Sequence, residues 1–207
     1  MDNRCLTGME VSFPDTEIER LKRRTWILSY APQQAVGAEL GVFRGHFSEQ
    51  ILSITEPSKL YLVDPWRLLG EKFNWREPNS EYLGHGKLTT EYALEDTKRR
   101  IQPYRDKSQV IFVEDYCERF LNSVNEELDF VYLDTTHVYL STLNELQLID
   151  QVLSSRGLIL GDDWWPNPQS VHHGVFRAVN DFVKSHDYQI VACGIGNQWC
   201  IRRNPMY

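Results

Sequence analysis

The chain has 207 residues, 42% of them hydrophobic, with 12 glycines and 9 prolines; this is one domain's worth of material with a sizeable core, unlike a disordered tail or a fibre. Its 22 lysines and arginines against 29 aspartates and glutamates give a formal charge of -7, which offers no broad attraction for a polyanion, so nucleic acid is disfavoured as a partner. With no basic and apolar leader and no apolar run of bilayer length, a cytosolic protein without a membrane partner is expected.

From Ser12 to Tyr30 the spacing of Ile18, Leu21, Thr25 and Leu28 fits an amphipathic helix with Pro14 near its start, either a cover for one side of the domain or a flap near a ligand. Short apolar runs then alternate with helical patterns. Strands are predicted at 35–42, 59–64, 109–113, 130–134 and 157–161, and helices at 47–54, 88–101, 116–121, 142–153 and 175–185. Two strands, 189–193 and 198–202, close the chain around Gly194-Ile195-Gly196-Asn197. The alternation implies a mostly parallel sheet with helices on both faces and a final antiparallel hairpin. Thr142 and Glu145 have capping-box spacing, and Gly157 follows the same helix where a residue without a Cβ is useful. The domain is expected to span 35–207, with 1–34 a helical extension packed on it.

Cys5, Cys117, Cys193 and Cys200 are scattered, without a metal or redox pair; free buried thiols are expected, with a Cys193–Cys200 contact across the hairpin as the alternative. Two stretches, 65–87 and 164–173, rich in Trp, Pro, His and charge, each follow a strand that ends in Asp. In open α/β sheets ligands bind outside the carboxyl ends of the strands, so substrate contacts belong there. Trp66, Trp75, Trp164 and Trp165 would stack on a ring or close a hydrophobic cover. Tyr139 would brace the adjoining loop, and His172 and His173 would touch substrate or start the next helix.

The chemical signal is positional. Asp64, Asp134 and the pair Asp162-Asp163 all end predicted strands and share one edge if those strands are parallel. An isolated strand-end Asp often caps a helix. The adjacent pair near Asp134 instead needs a cation, a proton or an arginine to offset its repulsion. Oxygen donors favour Mg²⁺, Mn²⁺ or Ca²⁺. His137, three residues after Asp134, is a ligand, a base or a turn residue, with base first because an imidazole accepts a proton near neutrality. In the first strand turn, Glu39-Leu40-Gly41-Val42-Phe43-Arg44-Gly45 lets the backbone approach a ligand, but it is neither GxGxxG nor a Walker motif.

These residues together resemble the class I S-adenosylmethionine-dependent methyltransferases. AELGVFRG is similar to their first motif, LYLVDPW to the acidic second-strand motif, and DFVYLDTTHVY with GLILGDDWW to the fourth and fifth strand ends of metal-dependent members. Within the class the chain resembles the small bacterial macrolide-sugar O-methyltransferases of natural-product biosynthesis, with catechol-type enzymes further away. The resemblance runs from about Val36 to Arg202. It implies a Rossmann-like three-layer α/β sandwich with sheet order 3-2-1-4-5-7-6 and an antiparallel last strand. It implies Glu39, Gly41 and Gly45 along the cofactor's methionine and ribose, Asp64 on the ribose hydroxyls, and Asp115 and Tyr116 beside the adenine. It also implies Asp134, Asp162 and Asp163 on the metal and His137 as base, for methyl transfer to a small-molecule hydroxyl. Two departures stand out: Asp134-Thr135 replaces the family's usual Asp-Gly, and Glu114-Asp115-Tyr116 replaces a small glycine-containing turn. A metal-dependent hydrolase or hydroxylase-like enzyme, and a catalytically silent binding protein, are the other readings, and a homo-oligomer stays open.

Overall fold

The computed structural model describes residues 15–73 and 88–204. Helix α1 (Asp15–Arg24) runs into a 3-10 turn (Thr25–Tyr30) and leads to β1 (Val36–Leu40). There follow α2 (His46–Thr55), β2 (Lys59–Val63), α3 (Thr90–Ile101), β3 (Gln109–Val113), α4 (Cys117–Ser123) and β4 (Leu128–Leu133). Then come α5 (Tyr139–Val152), β5 (Leu153–Gly161), α6 (His173–Ser185), β6 (Tyr188–Cys193) and β7 (Trp199–Arg203). The seven strands form one sheet in the order β3-β2-β1-β4-β5-β7-β6, parallel throughout except for β7, which is antiparallel to both neighbours. This is the fold that the alternation and the motif order imply.

Helices cover both faces because the central strands are apolar on both sides. One face buries Phe120, Leu146, Ile149, Val179 and Phe182 of α4, α5 and α6. The other buries Phe47, Ile51, Ala93 and Leu94 of α2 and α3 together with Ile27 and Leu28 of the 3-10 turn.

Register places the site. Leu40 pairs with Val63 on one side and Leu133 on the other, and Leu133 pairs with Gly161. The ladder extends one residue further through Gly41 N–H to Val63 O (2.9 Å), Asp64 N–H to Val113 O (3.1 Å), Asp134 N–H to Leu40 O (2.8 Å) and Asp162 N–H to Leu133 O (3.2 Å). Gly41, Asp64, Asp134 and Asp162 therefore stand side by side at one edge.

Local differences have physical causes. The predicted helix over 12–30 is an α-helix only to Arg24, after which the chain tightens into a 3-10 turn. Helix α5 begins at Tyr139, so Thr142 and Glu145 lie inside it and form no capping box. Both are buried, and the Glu145 carboxylate accepts the Thr135 hydroxyl at 2.7 Å rather than turning back to a cap. Gly157 is a strand residue, since β5 follows α5 directly; a Cβ there would lie 2.5 Å from the Leu153 side chain. Cys193 pairs in register with Trp199 and Cys200 with Ala192; Cys117, Cys193 and Cys200 are free thiols. Pro14, Cys5 and Trp75 lie outside the described residues.

Candidate active site at the carboxyl edge of the sheet

At this edge the chain leaves four neighbouring strands in unusual backbone conformations. Gly41 (φ 87°) and Gly45 (φ 74°) turn the chain from β1 into α2, and Phe43 (φ 56°), Trp66 (φ 31°), His137 (φ 61°) and Asp163 (φ 65°) also lie at positive φ. Side chains rarely adopt this region, and strain of this kind concentrates where surrounding structure holds functional groups in place. Gly41 is required twice over, because a Cβ would also come within 1.8 Å of Asp134 O.

The turn is fastened by Asp64. Its Oδ2 accepts the backbone N–H of Val42 (3.0 Å) and Phe43 (2.9 Å), and its Oδ1 accepts that of Trp66 (2.9 Å). Burial pushes its carboxyl up, against those three donors. Glu39 is buried, with one carboxylate oxygen on the Ser48 hydroxyl, and burial raises it to about 8, so it is protonated at neutral pH. The first-motif arginine, Arg44, points away from the edge into a buried pair with Asp96 at 2.9 Å.

Across β4 and β5, Asp134, Asp162 and Asp163 converge, with ligand atoms within 4.8 Å of one another. The cation beside them is Arg24, at the end of α1. Its Nη2 lies 2.6 Å from Asp134 Oδ2 and 3.1 Å from Asp162 Oδ2, and it donates to Tyr132 Oη at 2.8 Å. The guanidinium also lies 4.6 Å from the centroid of the Phe47 ring, an arrangement suited to its flat, weakly hydrated surface. Arg20, one turn earlier, reaches Asp162 at 3.4 Å. Gln198 closes the network, accepting from Tyr132 Oη (2.7 Å) and donating to Asp162 Oδ1 (2.6 Å).

Burial opposes ionisation of Asp134, but Arg24 and His137 outweigh it and hold its carboxyl well below the usual range. For Asp162 burial dominates and pushes the carboxyl up to about 7 despite Arg24. His137 Nε2 lies 2.8 Å from Asp163 Oδ2 and 3.4 Å from Asp134 Oδ1. Burial alone would lower it; its hydrogen bonds to these carboxylates raise it to about 10, so it is an imidazolium at neutral pH.

Asp134, His137, Asp162 and Asp163 thus form one cluster, and Glu39, Gly41 and Asp64 line the adjoining β1 and β2 ends. Gly45 starts α2, tight against Thr97, where a Cβ would meet the side chain at 2.8 Å. Asp115 and Tyr116 follow β3: Asp115 Oδ1 accepts the Tyr116 N–H at 2.8 Å, and the Tyr116 ring is exposed. Trp66 is fully buried, with its indole N–H on Phe43 O at 2.8 Å, and Trp164 packs edge-on to Phe176, so both act as hydrophobic cover. Trp165 is partly exposed and donates its indole N–H to Asp163 Oδ1 at 3.2 Å. Tyr139 donates to Asp181 at 3.0 Å, bracing α5 on α6 rather than the acidic loop. His172 occupies the N-cap position of α6 and His173 is its first residue.

Arg24, Arg20, Tyr132 and Gln198 were absent from the residues singled out by sequence. The one signal for the arginines is their i,i+4 spacing, which puts them on one helix face.

Residues 38–164, more than half of the chain, match the family model described as "Methyltransferase domain". No curated protein sequence matches. Among solved structures, the SAH-bound methyltransferase of Podospora anserina aligns with a TM-score of 0.62 at 12% identity, over 99% of this chain and 89% of that one. A putative rRNA methylase from Clostridium thermocellum aligns at 0.59 with 11% identity, over 88% and 93%. A putative O-methyltransferase from Klebsiella pneumoniae aligns at 0.56 with 12% identity, over 90% and 80%.

Proposed function

The chain belongs to the methyltransferase-domain family, with the class I S-adenosylmethionine-dependent fold, and from that premise we propose that it methylates a hydroxyl of a small molecule in the cytosol. Residues 35–207 carry the reaction, and the extension before them, helical from Asp15 to Arg24, contributes Arg24 to its acidic edge. The observation that carries the proposal is the register of the edge: the Gly41 turn, the Asp64 fastening and the Asp134–His137–Asp163 cluster sit on adjacent strands. The donor set suits the cofactor, since Asp64, Asp134 and Asp163 at this edge offer acceptor oxygens to a ligand with cationic groups and a ribose diol.

S-adenosylmethionine, when bound, supplies an electrophilic methyl group on a sulfonium. The protein's part is placement: the Gly41 turn and Asp64 position the cofactor, and Asp134 and Asp163 orient the acceptor hydroxyl. Proximity of this kind supplies much of the rate in a displacement that needs no covalent enzyme intermediate. His137 Nε2 is the proton acceptor; the carboxylates of Asp134 and Asp163 favour its imidazolium form, so the ring first releases its Nε2 proton to solvent and then takes the proton of the acceptor hydroxyl. Asp115 and Tyr116 border the adenine end.

The three carboxylates form a donor set of the kind a hard divalent ion takes, so Asp134, Asp162 and Asp163 would hold Mg²⁺, Mn²⁺ or Ca²⁺, which lowers the effective pKa of a bound hydroxyl. Arg24 already bridges two of them, and an ion there requires its withdrawal. That observation favours a second reading, in which Arg24 is the resident cation and methyl transfer is metal-independent.

Calorimetric titration with S-adenosylmethionine, with and without Mg²⁺ after chelation, tests the proposal. Binding in the micromolar range is expected, corresponding to about -8 kcal/mol, followed by turnover in a panel of sugar, polyketide and phenolic hydroxyl acceptors. Folded protein that does not bind S-adenosylmethionine under either condition sinks it. Turnover unaffected by chelation selects the Arg24 reading.

A further inference from the structure

At Asp163, two imidazoles face one carboxylate oxygen. Asp163 Oδ2 lies 2.8 Å from His137 Nε2 and 3.6 Å from His172 Nδ1, and the ligand atoms of the three residues are all within 4.8 Å of one another. Donors that share an ion at about 2.1 Å stand roughly 3 to 3.5 Å apart, so the two measured separations bracket what one ion needs. The rings of His137 and His172 meet edge to face at 4.5 Å between centroids.

Two further observations point to a ligand. His172 Nδ1 is buried and makes no hydrogen bond, although a buried polar nitrogen ordinarily has a partner. The framework around it is also built for convergence. His137 and Asp163 are both held at positive φ, and Trp165 Nε1 takes Asp163 Oδ1, which leaves Oδ2 for the imidazoles, as outer partners orient metal ligands. The loop carrying His172 comes so close to that carrying His137 that a Cβ on Gly174 would lie 2.6 Å from His137 O.

We propose that His137, Asp163 and His172 form a site for a divalent first-row transition ion. Two imidazoles and one carboxylate suit Zn²⁺, Mn²⁺, Fe²⁺ or Co²⁺ and leave coordination positions for solvent or a substrate oxygen. The three-carboxylate set, by contrast, is an oxygen site suited to Mg²⁺ or Ca²⁺ and has Arg24 across it. An ion there displaces the Nε2 proton of His137 and occupies the atom that the methyl-transfer proposal uses as proton acceptor, so the two uses of His137 are alternatives, and the site stands whether or not the chain binds S-adenosylmethionine.

The test is a Co²⁺ titration of the full chain after metal stripping, read by calorimetry and by visible ligand-field absorption. One ion per chain is expected. His172→Gln lowers Co²⁺ affinity at least about tenfold, the smaller end of the loss that even outer partners of a metal site cause, while S-adenosylmethionine binding is unchanged. His172→Cys, which keeps a donor, retains Co²⁺ and adds a thiolate charge-transfer band. Absence of Co²⁺ binding to the unaltered chain overturns the site, as does equal affinity in His172→Gln. A loss confined to Asp134→Asn and Asp162→Asn also overturns it and places the ion in the carboxylate set. S-adenosylmethionine binding, measured in the same samples, reports on the methyl-transfer proposal separately.

Discussion

The guanidinium of Arg24 lies 2.6 Å from the carboxylate of Asp134, a residue 110 positions later in the chain. The contact joins the end of α1 to the end of β4, so the extension before the sheet supplies the charge that offsets the acidic strand ends. It is backed by the hairpin loop, where the Trp26 indole N–H donates to Ile195 O at 2.8 Å.

Removing that charge leaves Asp134 and Asp162 facing each other with only the longer contacts to His137 and Arg20, both at 3.4 Å. Arg24→Met is expected to lower stability by about 3–5 kcal/mol, the usual cost of stripping one partner from a buried ion pair. If the carboxylates can take a hard cation, millimolar Mg²⁺ restores part of that loss in Arg24→Met while leaving the unaltered chain little changed. Thermal unfolding of both proteins with Mg²⁺ and with chelator checks this; equal midpoints for the two proteins in chelator contradict it.

Gly41→Ala forces a side chain into left-handed backbone at φ 87° and into contact with Asp134 O. The conformational part alone is worth about 1–3 kcal/mol, and relief of the clash must push β1 and β4 apart at the site. A lower unfolding midpoint together with weaker S-adenosylmethionine binding is expected. Unchanged values for both show that the turn tolerates a Cβ.

Asp64→Ala leaves the N–H groups of Val42, Phe43 and Trp66 without their acceptor. Orphaned buried donors make this cost on the order of 2–4 kcal/mol. The loosened turn weakens S-adenosylmethionine by at least tenfold, which corresponds to about 1.4 kcal/mol. A calorimetric dissociation constant equal to that of the unaltered chain removes Asp64 from the cofactor site.

The fold carries a pH dependence through Glu145. Burial raises its carboxyl to about 7 from an ordinary 4.5, against the hydrogen bond from Thr135. The folded chain therefore holds this proton more tightly than the unfolded chain. Stability from this group is fully present below the unfolded value and declines as pH rises from about 4.5 towards 7, by roughly 3 kcal/mol in all. Glu145→Gln keeps a polar group for Thr135 without the charge. It is expected to raise the unfolding midpoint at pH 8 by several degrees and to change it little at pH 4.5; the same shift at both values rules the carboxyl out as the source.

The strands and helices of the sheet were legible in sequence because their signals are local: apolar runs of strand length, helical spacing, and Asp at the ends of three strands. The capping box at Thr142 and Glu145 misled because the same spacing also occurs within a helix, where burial turned Glu145 towards Thr135. Gly157 had the right residue type for a helix end but serves close packing against Leu153 inside β5.

The sequence by itself determined the α/β alternation, the order of the motifs and the alignment of Asp64, Asp134 and Asp162-Asp163 on one edge, since parallel strands of similar length must end together. It also posed the question of what offsets those carboxylates. Only the tertiary structure decided that Arg24 bridges Asp134 and Asp162, that His137 and His172 both turn to Asp163, and that Gln198 joins Tyr132 to Asp162. The physical reason is that charge pairing acts through space: an ion pair selects whichever cation packing brings within reach, and no spacing along the chain records that distance.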